Sequence, residues 1–479
     1  MSQKTLSSGA VVETYPLTQA QRFMFFVANS YGKDSPVLNI GTGYYWVDDF
    51  RPDLLREALE EAMRRCDTIR LRFCWEKIKG VTQLVQYLAP ESEIEVEEFD
   101  FSDIPREESF RIMKGWTKEL IDMIDKPLHT VRIIRLPEGR NGMYLKFHHL
   151  AFDGYSTKVF ICDVMGIYLA KKCGAPYPKP MKPYYDAMME EFAYLDSEER
   201  KKDREYWMKT FSTDSEPIFN DYLLDNRLEK ARKESGDPNR RYISLFEGEH
   251  PESETLIYEV SKEDSDKIME LCREKSLSIP CVLMLGLRTA LSAFNKNQTD
   301  VSFKFMINRR GSILQKKSGG NRWHFYTLRT NIEPDLTFRE AVDAVEDAQR
   351  TVFRHCNFAT LEMYQIKHMA MKTGDINHTY DTMTFSYHAP LEVPAESDEV
   401  RSTMEGVWYN NDFSAQNLYL TVKHRAGDNG FEFIFEYRTF EDSRADLEIL
   451  YPKIVEAIMT GVENPDVTVG EILEKIKLD

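Results

Sequence analysis

The sequence predicts a mixed α/β (α+β) protein built in two parts, and three observations carry that expectation. Segments whose apolar residues alternate, the period of a half-buried strand, are interspersed with segments of helical spacing along the whole chain. The stretch Gly174 to Pro183 carries four prolines, which disfavours helix and suits an extended connector. Finally, 479 residues with 42% apolar and 12% aromatic content are enough to bury two sizeable cores.

In order along the chain, Pro52 opens a helix whose apolar period is Leu55, Leu59, Ala62 and Cys66. Strands are expected near Val131 to Leu136 and from Met143 to Phe147, where Met143, Leu145 and Phe147 alternate with Tyr144 and Lys146. Beyond Gly154 the spacing of Val159, Phe160, Val164 and Leu169 turns helical. After the connector come a charged helix from Glu198 to Phe211 and an apolar helix from Ile279 to Phe294. A third helix, Phe338 to Phe353, opens on a Thr337/Glu340 capping box. The strands expected there are Leu256 to Val260, Val301 to Ile307, Thr384 to His388, Leu418 to His424 and Phe431 to Tyr437. The expected division is therefore 1–174, a connector at 175–183, and 184–479.

A formal charge of −17 argues against a general nucleic-acid or anionic-membrane surface. Seven cysteines, an odd number without CxxC pairing, read as reduced, buried thiols in a reducing compartment. The first residues lack a signal-peptide apolar region, and no run of about 18 apolar residues occurs. The expected location is cytoplasmic.

The most informative stretch is His148-His149-Leu150-Ala151-Phe152-Asp153-Gly154, where a strand pattern ends and a helix begins. Extended backbone sends successive side chains to opposite sides, so one histidine faces a cavity while the other packs against the scaffold. That divergence, with no cysteine pair or further histidine nearby, argues against a tetrahedral metal site. A histidine pair satisfied in the core is the plain alternative; the Asp-Gly at fixed offset between strand and helix points beyond it to acyl transfer, where a neutral imidazole with a pKa of ~6.5 can take a proton near pH 7, worth roughly 10²- to 10⁴-fold in rate. Asp153 reads equally as a cap or an ion-pair partner, and Gly154 as a residue allowing a backbone angle closed to others.

With Ser156 included, this stretch resembles the His-His-x-x-x-Asp-Gly-x-Ser signature of nonribosomal peptide synthetase condensation domains, within the chloramphenicol acetyltransferase-like superfamily. Tyr15 to Phe26 is similar to the family's opening motif, and Arg64 to Phe73 to its second, though the usual His-Glu is replaced. Gly320 and Arg329 bracket a segment of fifth-motif length, and Tyr184-Tyr185-Asp186 with Tyr206-Trp207 resembles the stretch between the two halves. The resemblance implies two acetyltransferase-like lobes forming a V-shaped pseudo-dimer, with the active site between them and the motif in the N-terminal lobe. It makes His149 catalytic, with His148 and Gly154 in support. It also implies that Asp153 is held by an Arg from the second lobe, here Arg310, with Arg309 as the alternate.

Where the family's fifth motif has Asn-Thr, this chain has His324-Phe325, which makes His324 a candidate channel-lining group. No phosphopantetheine-attachment Gly-Gly-x-Ser and no adenylation segment is present. The resemblance then implies a freestanding condensation enzyme. Its donor is an acyl or aminoacyl thioester on an acyl or peptidyl carrier protein supplied in trans. Its acceptor is an amine, or as second choice a hydroxyl. No cofactor is expected to be bound, since phosphopantetheine enters as the carrier's arm, and no metal, nucleic acid or membrane is called for. The alternatives are a coenzyme A-dependent acyltransferase of the same superfamily and a non-catalytic recruiting module, though the module usually loses the second histidine, retained here as His149. An epimerisation domain would carry Glu-Gly-His-Gly-Arg, and Glu247-Gly248-Glu249-His250 is not that pattern.

Overall fold

The computed structural model describes residues 2–31, 35–91, 94–211, 216–244, 251–370, 378–390, 392–425, 428–441 and 443–478. Glu247 to His250 lie outside them. The chain forms two compact units: Met1–Ser197 with two later returns, Asn308–Trp323 and Leu391–Phe413, and a second unit of Glu198–Ile307, His324–Pro390 and Ser414–Asp479.

The division thus falls at Ser197, past the proline-rich connector expected at 175–183. The reason lies in packing. Gly174 ends the preceding helix in the left-handed conformation at φ 71°, and Pro178 then lies against Gly166 of that helix while its carbonyl accepts from Arg65 at 3.0 Å. Lys182 N–H donates to the Lys317 carbonyl at 2.8 Å. The prolines make a segment that is fastened to the rest of the first unit at Pro178 and Lys182.

The first unit contains a five-stranded sheet in the order Glu405–Tyr409, Asn39–Val47, Arg140–His148, His129–Arg135, Val96–Asp100. The strand carrying the motif, Arg140–His148, pairs antiparallel with Asn39–Val47, placing His148 opposite Asn39. Its alternation suggests one wet face, yet every residue from Gly142 to His148 is buried. The polar ends explain this: Lys146 Nζ donates to the carbonyls of Trp116 and Glu119 at 2.7 and 2.5 Å, and Tyr144 shares a hydrogen bond with Thr117 at 2.9 Å. Buried polar groups are tolerated when so partnered.

The second unit is built on a six-stranded sheet in the order Ser253–Glu259, Phe431–Arg438, Leu418–His424, Thr384–His388, Asp300–Ile307, His324–Asn331. The apolar helix Ile279–Phe294 is buried over most of its length and packs on Arg444–Glu463, where Gly286 sits against Ile458. The expected capping box closes the helix Phe338–Arg354, Thr337 Oγ1 accepting from Glu340 N–H at 3.2 Å. Of the cysteines, Cys66, Cys74, Cys272 and Cys281 are buried, Cys162 and Cys356 half-buried and Cys173 exposed, all as free thiols. Among the described residues no single helix is long and apolar enough to cross a membrane.

Candidate active site

The motif strand ends at His148, and Asp153 caps the helix Gly154–Cys173 that follows. Asp153 Oδ1 accepts from Ser156 N–H at 2.7 Å while Ser156 Oγ accepts from Asp153 N–H at 2.8 Å, a reciprocal box that fixes the angle between strand and helix.

The same carboxylate is the hub of a buried network inside the first unit. Arg310 donates Nη1 to Oδ2 at 2.9 Å and Nη2 to Oδ1 at 3.2 Å, and Arg322 N–H adds a bond to Oδ2 at 2.9 Å. Asp153 is 1% exposed. Burial alone would raise its carboxyl, but the Arg310 charge and the Ser156 and Arg322 amides outweigh it and hold it below the ordinary range. Arg310 also donates to the Gly320 carbonyl at 2.7 Å. Arg309, in the left-handed region at φ 48°, turns instead to Glu191 and to the Arg322 carbonyl, at 3.4 and 3.0 Å. The partner of Asp153 is therefore Arg310, and it reaches it from Asn308–Trp323, a segment of the same compact unit rather than of a second lobe.

The flanking motifs interlock beneath this loop. Asp67, in the second motif, caps the helix Tyr184–Leu195 by accepting from the Tyr184 and Tyr185 amides at 2.8 and 3.0 Å. Gln21, in the first motif, donates to the Tyr184 hydroxyl at 3.0 Å. Gly320, at φ 90°, lies flat on the Tyr184 ring, where a Cβ would come within 2.3 Å of it.

His148 is 8% exposed, and its Nδ1 accepts from Leu150 N–H at 3.2 Å. Burial, with His149 as a lesser neighbour, pushes it down to about 3. His149 is half-buried and points elsewhere, its Nδ1 accepting from the Trp323 indole N–H at 3.2 Å. Burial pushes it down to about 4 against the opposing pull of Asp153. Both rings are neutral at pH 7.

These low values make stability depend on pH. The unfolded chain protonates these histidines near pH 6.5, whereas the fold resists until about 4 for His149 and about 3 for His148. Across that window the unfolded state binds more protons, so stability present at pH 7 falls as the pH drops below ~6.5, at about 1.4 kcal/mol per pH unit for each ring. Urea denaturation from about pH 7 to about pH 5 measures the slope, and His148→Asn, which keeps an acceptor but not the titration, should make it shallower. An unchanged slope would mean that His148 titrates as it does in the unfolded chain.

Gly154 opens the motif helix in ordinary backbone geometry, and a Cβ there would meet nothing within 4 Å among the described residues. Neither a special angle nor a close neighbour requires glycine, contrary to the conformational reading. Gly154→Ala should keep or raise the melting temperature, by up to about 1 kcal/mol in stability, and a clear fall would show that the backbone needs the glycine.

His324 lies in the second unit, 0% exposed, at the start of the strand His324–Asn331 and opposite Ile307, with Nδ1 hydrogen-bonded to Thr360 Oγ1 at 2.6 Å. Two residues that the sequence pattern does not single out, Trp323 and Asn321, contact His149. Asn321 donates to the His149 carbonyl at 2.6 Å, and both sit in the 320–329 block whose departure from the expected pattern is their only signal.

A family model described as Condensation domain matches residues 11–474. Surfactin synthase subunit 1 of Bacillus subtilis (strain 168) and bacitracin synthase 1 of Bacillus licheniformis are 22% and 21% identical over 96% of this chain, which spans only 12% and 8% of their lengths. Among solved structures, the first condensation domain of the calcium-dependent antibiotic synthetase matches with a TM-score of 0.76 at 18% identity, covering 96% of this chain and 99% of that one. VibH, an NRPS condensation enzyme, matches with a TM-score of 0.70 at 15% identity, covering 95% and 98%.

Proposed function

Because this chain belongs to the condensation-domain family, we propose that it moves an acyl or aminoacyl group from a carrier-protein thioester to an amine, in nonribosomal peptide or related biosynthesis. The reaction converts thioester and amine to amide and thiol. The observation that carries this reading is His149: a histidine neutral at pH 7, tethered through its backbone by Asn321 and through its ring by Trp323. The loop bearing it is locked by Asp153 and Arg310.

Each part has a role in that chemistry. His149 is the polar group that meets the reacting carbonyl, where positioning lowers the barrier by removing orientational freedom before the reaction. His148, Asp153 and Arg310 keep it there. Phosphopantetheine enters as the arm of the carrier, so the protein itself supplies no cofactor. The test is to offer separately purified, loaded carrier proteins together with panels of amines and hydroxyl compounds, and to read the products by intact mass. Transfer of the acyl group from at least one carrier to an amine is the expected outcome, and carriers that stay loaded throughout, or that only hydrolyse, would contradict it.

A further inference from the structure

Resting on that reading, we infer that Trp323 is a positioning residue that fixes which nitrogen of His149 carries the proton. That nitrogen is Nε2, so His149 meets the acyl group as a hydrogen-bond donor and not as a base.

An indole N–H can only donate. With Trp323 Nε1 at 3.2 Å from His149 Nδ1, that ring nitrogen must present its lone pair, and the proton of the neutral imidazole then sits on Nε2. The contact is built rather than incidental. Asn321 Nδ2 donates to the His149 carbonyl at 2.6 Å, Asn321 Oδ1 accepts from Trp323 N–H at 3.3 Å, and the indole returns to the histidine ring, closing a loop through three side chains. The indole also meets the His149 ring edge-on at a centroid distance of 5.6 Å and 67°, and Phe23 makes a second edge-on contact with it at 5.9 Å and 77°. The carbonyls of Phe152 and of His149 itself also face the imidazole and favour a ring N–H, and the residue's own carbonyl, which only Nδ1 can reach, competes there with the indole N–H at 3.2 Å. Trp323 decides between the two nitrogens.

A proton on Nε2 changes what the residue can do. As the amine nitrogen attacks the thioester carbon, the carbonyl π electrons move to oxygen, and the Nε2–H donates to that oxygen as its charge grows. Collapse of the intermediate breaks the C–S bond, and the departing thiolate takes the proton released from the amine, directly or through water. Nothing else is consumed. An α-amine, with a pKa near 8, has a neutral fraction at pH 7 and can attack without a base, whereas a hydroxyl needs one. The pairing of Trp323 with His149 therefore selects an amine as the acceptor.

Ring-nitrogen NMR of the protein made with isotope-labelled histidine tests this without any substrate, so its result stands apart from whether the proposed reaction is found. His149→Gln identifies the His149 signals by their loss. The expected result is an unprotonated Nδ1 and a protonated Nε2 in the unmodified protein. Trp323→Phe, which keeps an aromatic ring and removes the N–H, should let the proton redistribute onto Nδ1 and lower kcat about tenfold with little change in KM. A proton on Nδ1 in the unmodified protein, turned toward the residue's own carbonyl, would overturn the assignment, and that spectrum decides even if Trp323→Phe fails to fold. A folded Trp323→Phe with the same tautomer, or with unchanged kcat, would equally overturn it.

Discussion

Asp153→Ala and Arg310→Ala are each expected to lose about 3–5 kcal/mol of stability, the usual cost of stranding one member of a buried ion pair. Both side chains are almost entirely removed from solvent and meet at 2.9 Å. Without Arg310 the carboxylate keeps its two amide donors but loses the opposing charge. Without Asp153 a guanidinium is left with the Gly320 and Asn308 carbonyls, at 2.7 and 3.2 Å, and the face of the Tyr155 ring at 4.9 Å, none of which carries a balancing charge. The double variant removes both charges together and should lose clearly less than the sum of the singles, because residues in one network are not additive. Chemical denaturation of the four proteins measures the coupling, and additive losses would mean that the pair does not act as a unit.

His149→Ala, which removes the Nε2–H donor, should cut turnover by roughly 10²-fold or more while leaving the melting temperature nearly unchanged. The ring is half-buried, and the bonds that hold its backbone, His149 N–H to the Leu38 carbonyl at 2.8 Å and Asn321 to the His149 carbonyl, survive the substitution. The indole N–H of Trp323 loses an acceptor, a cost of about 1 kcal/mol. Steady-state kinetics beside thermal denaturation separates the two effects, and near-normal turnover in a folded variant would remove His149 from the mechanism.

The strand, turn and helix around the motif are legible because a period of two gives way to one of 3.6 across a capping residue, signals that are local and strong. The helices Glu198–Phe211 and Ile279–Phe294 and the strands Thr384–His388 and Leu418–His424 run between the expected residues for the same reason. The placement of Arg310 beside Asp153 comes from resemblance alone, since 157 positions separate them and no local pattern links them. The returns Asn308–Trp323 and Leu391–Phe413 leave no periodic trace of the unit they join, which is why the prolines offer themselves as a single break. Trp323 and Asn321 are hidden likewise, their meaning lying in a loop 172 to 174 positions away. His324 draws attention as a polar group in an altered motif, yet the register that sets it opposite Ile307 turns it to Thr360 in the interior.

In the proposed reaction the donor arrives on a carrier protein. An enzyme that takes its substrate on a tethered arm draws binding energy from the carrier's surface, and where such remote contacts are realised in the transition state, truncated substrates lose kcat as well as affinity. The decisive comparison is of kcat/KM for one acyl group presented on a carrier protein and as its coenzyme A thioester, with the same amine acceptor. A preference for the carrier of at least about tenfold, ~1.4 kcal/mol, is the expected result, and equal or better use of the coenzyme A thioester would contradict it and favour a small-molecule acyltransferase.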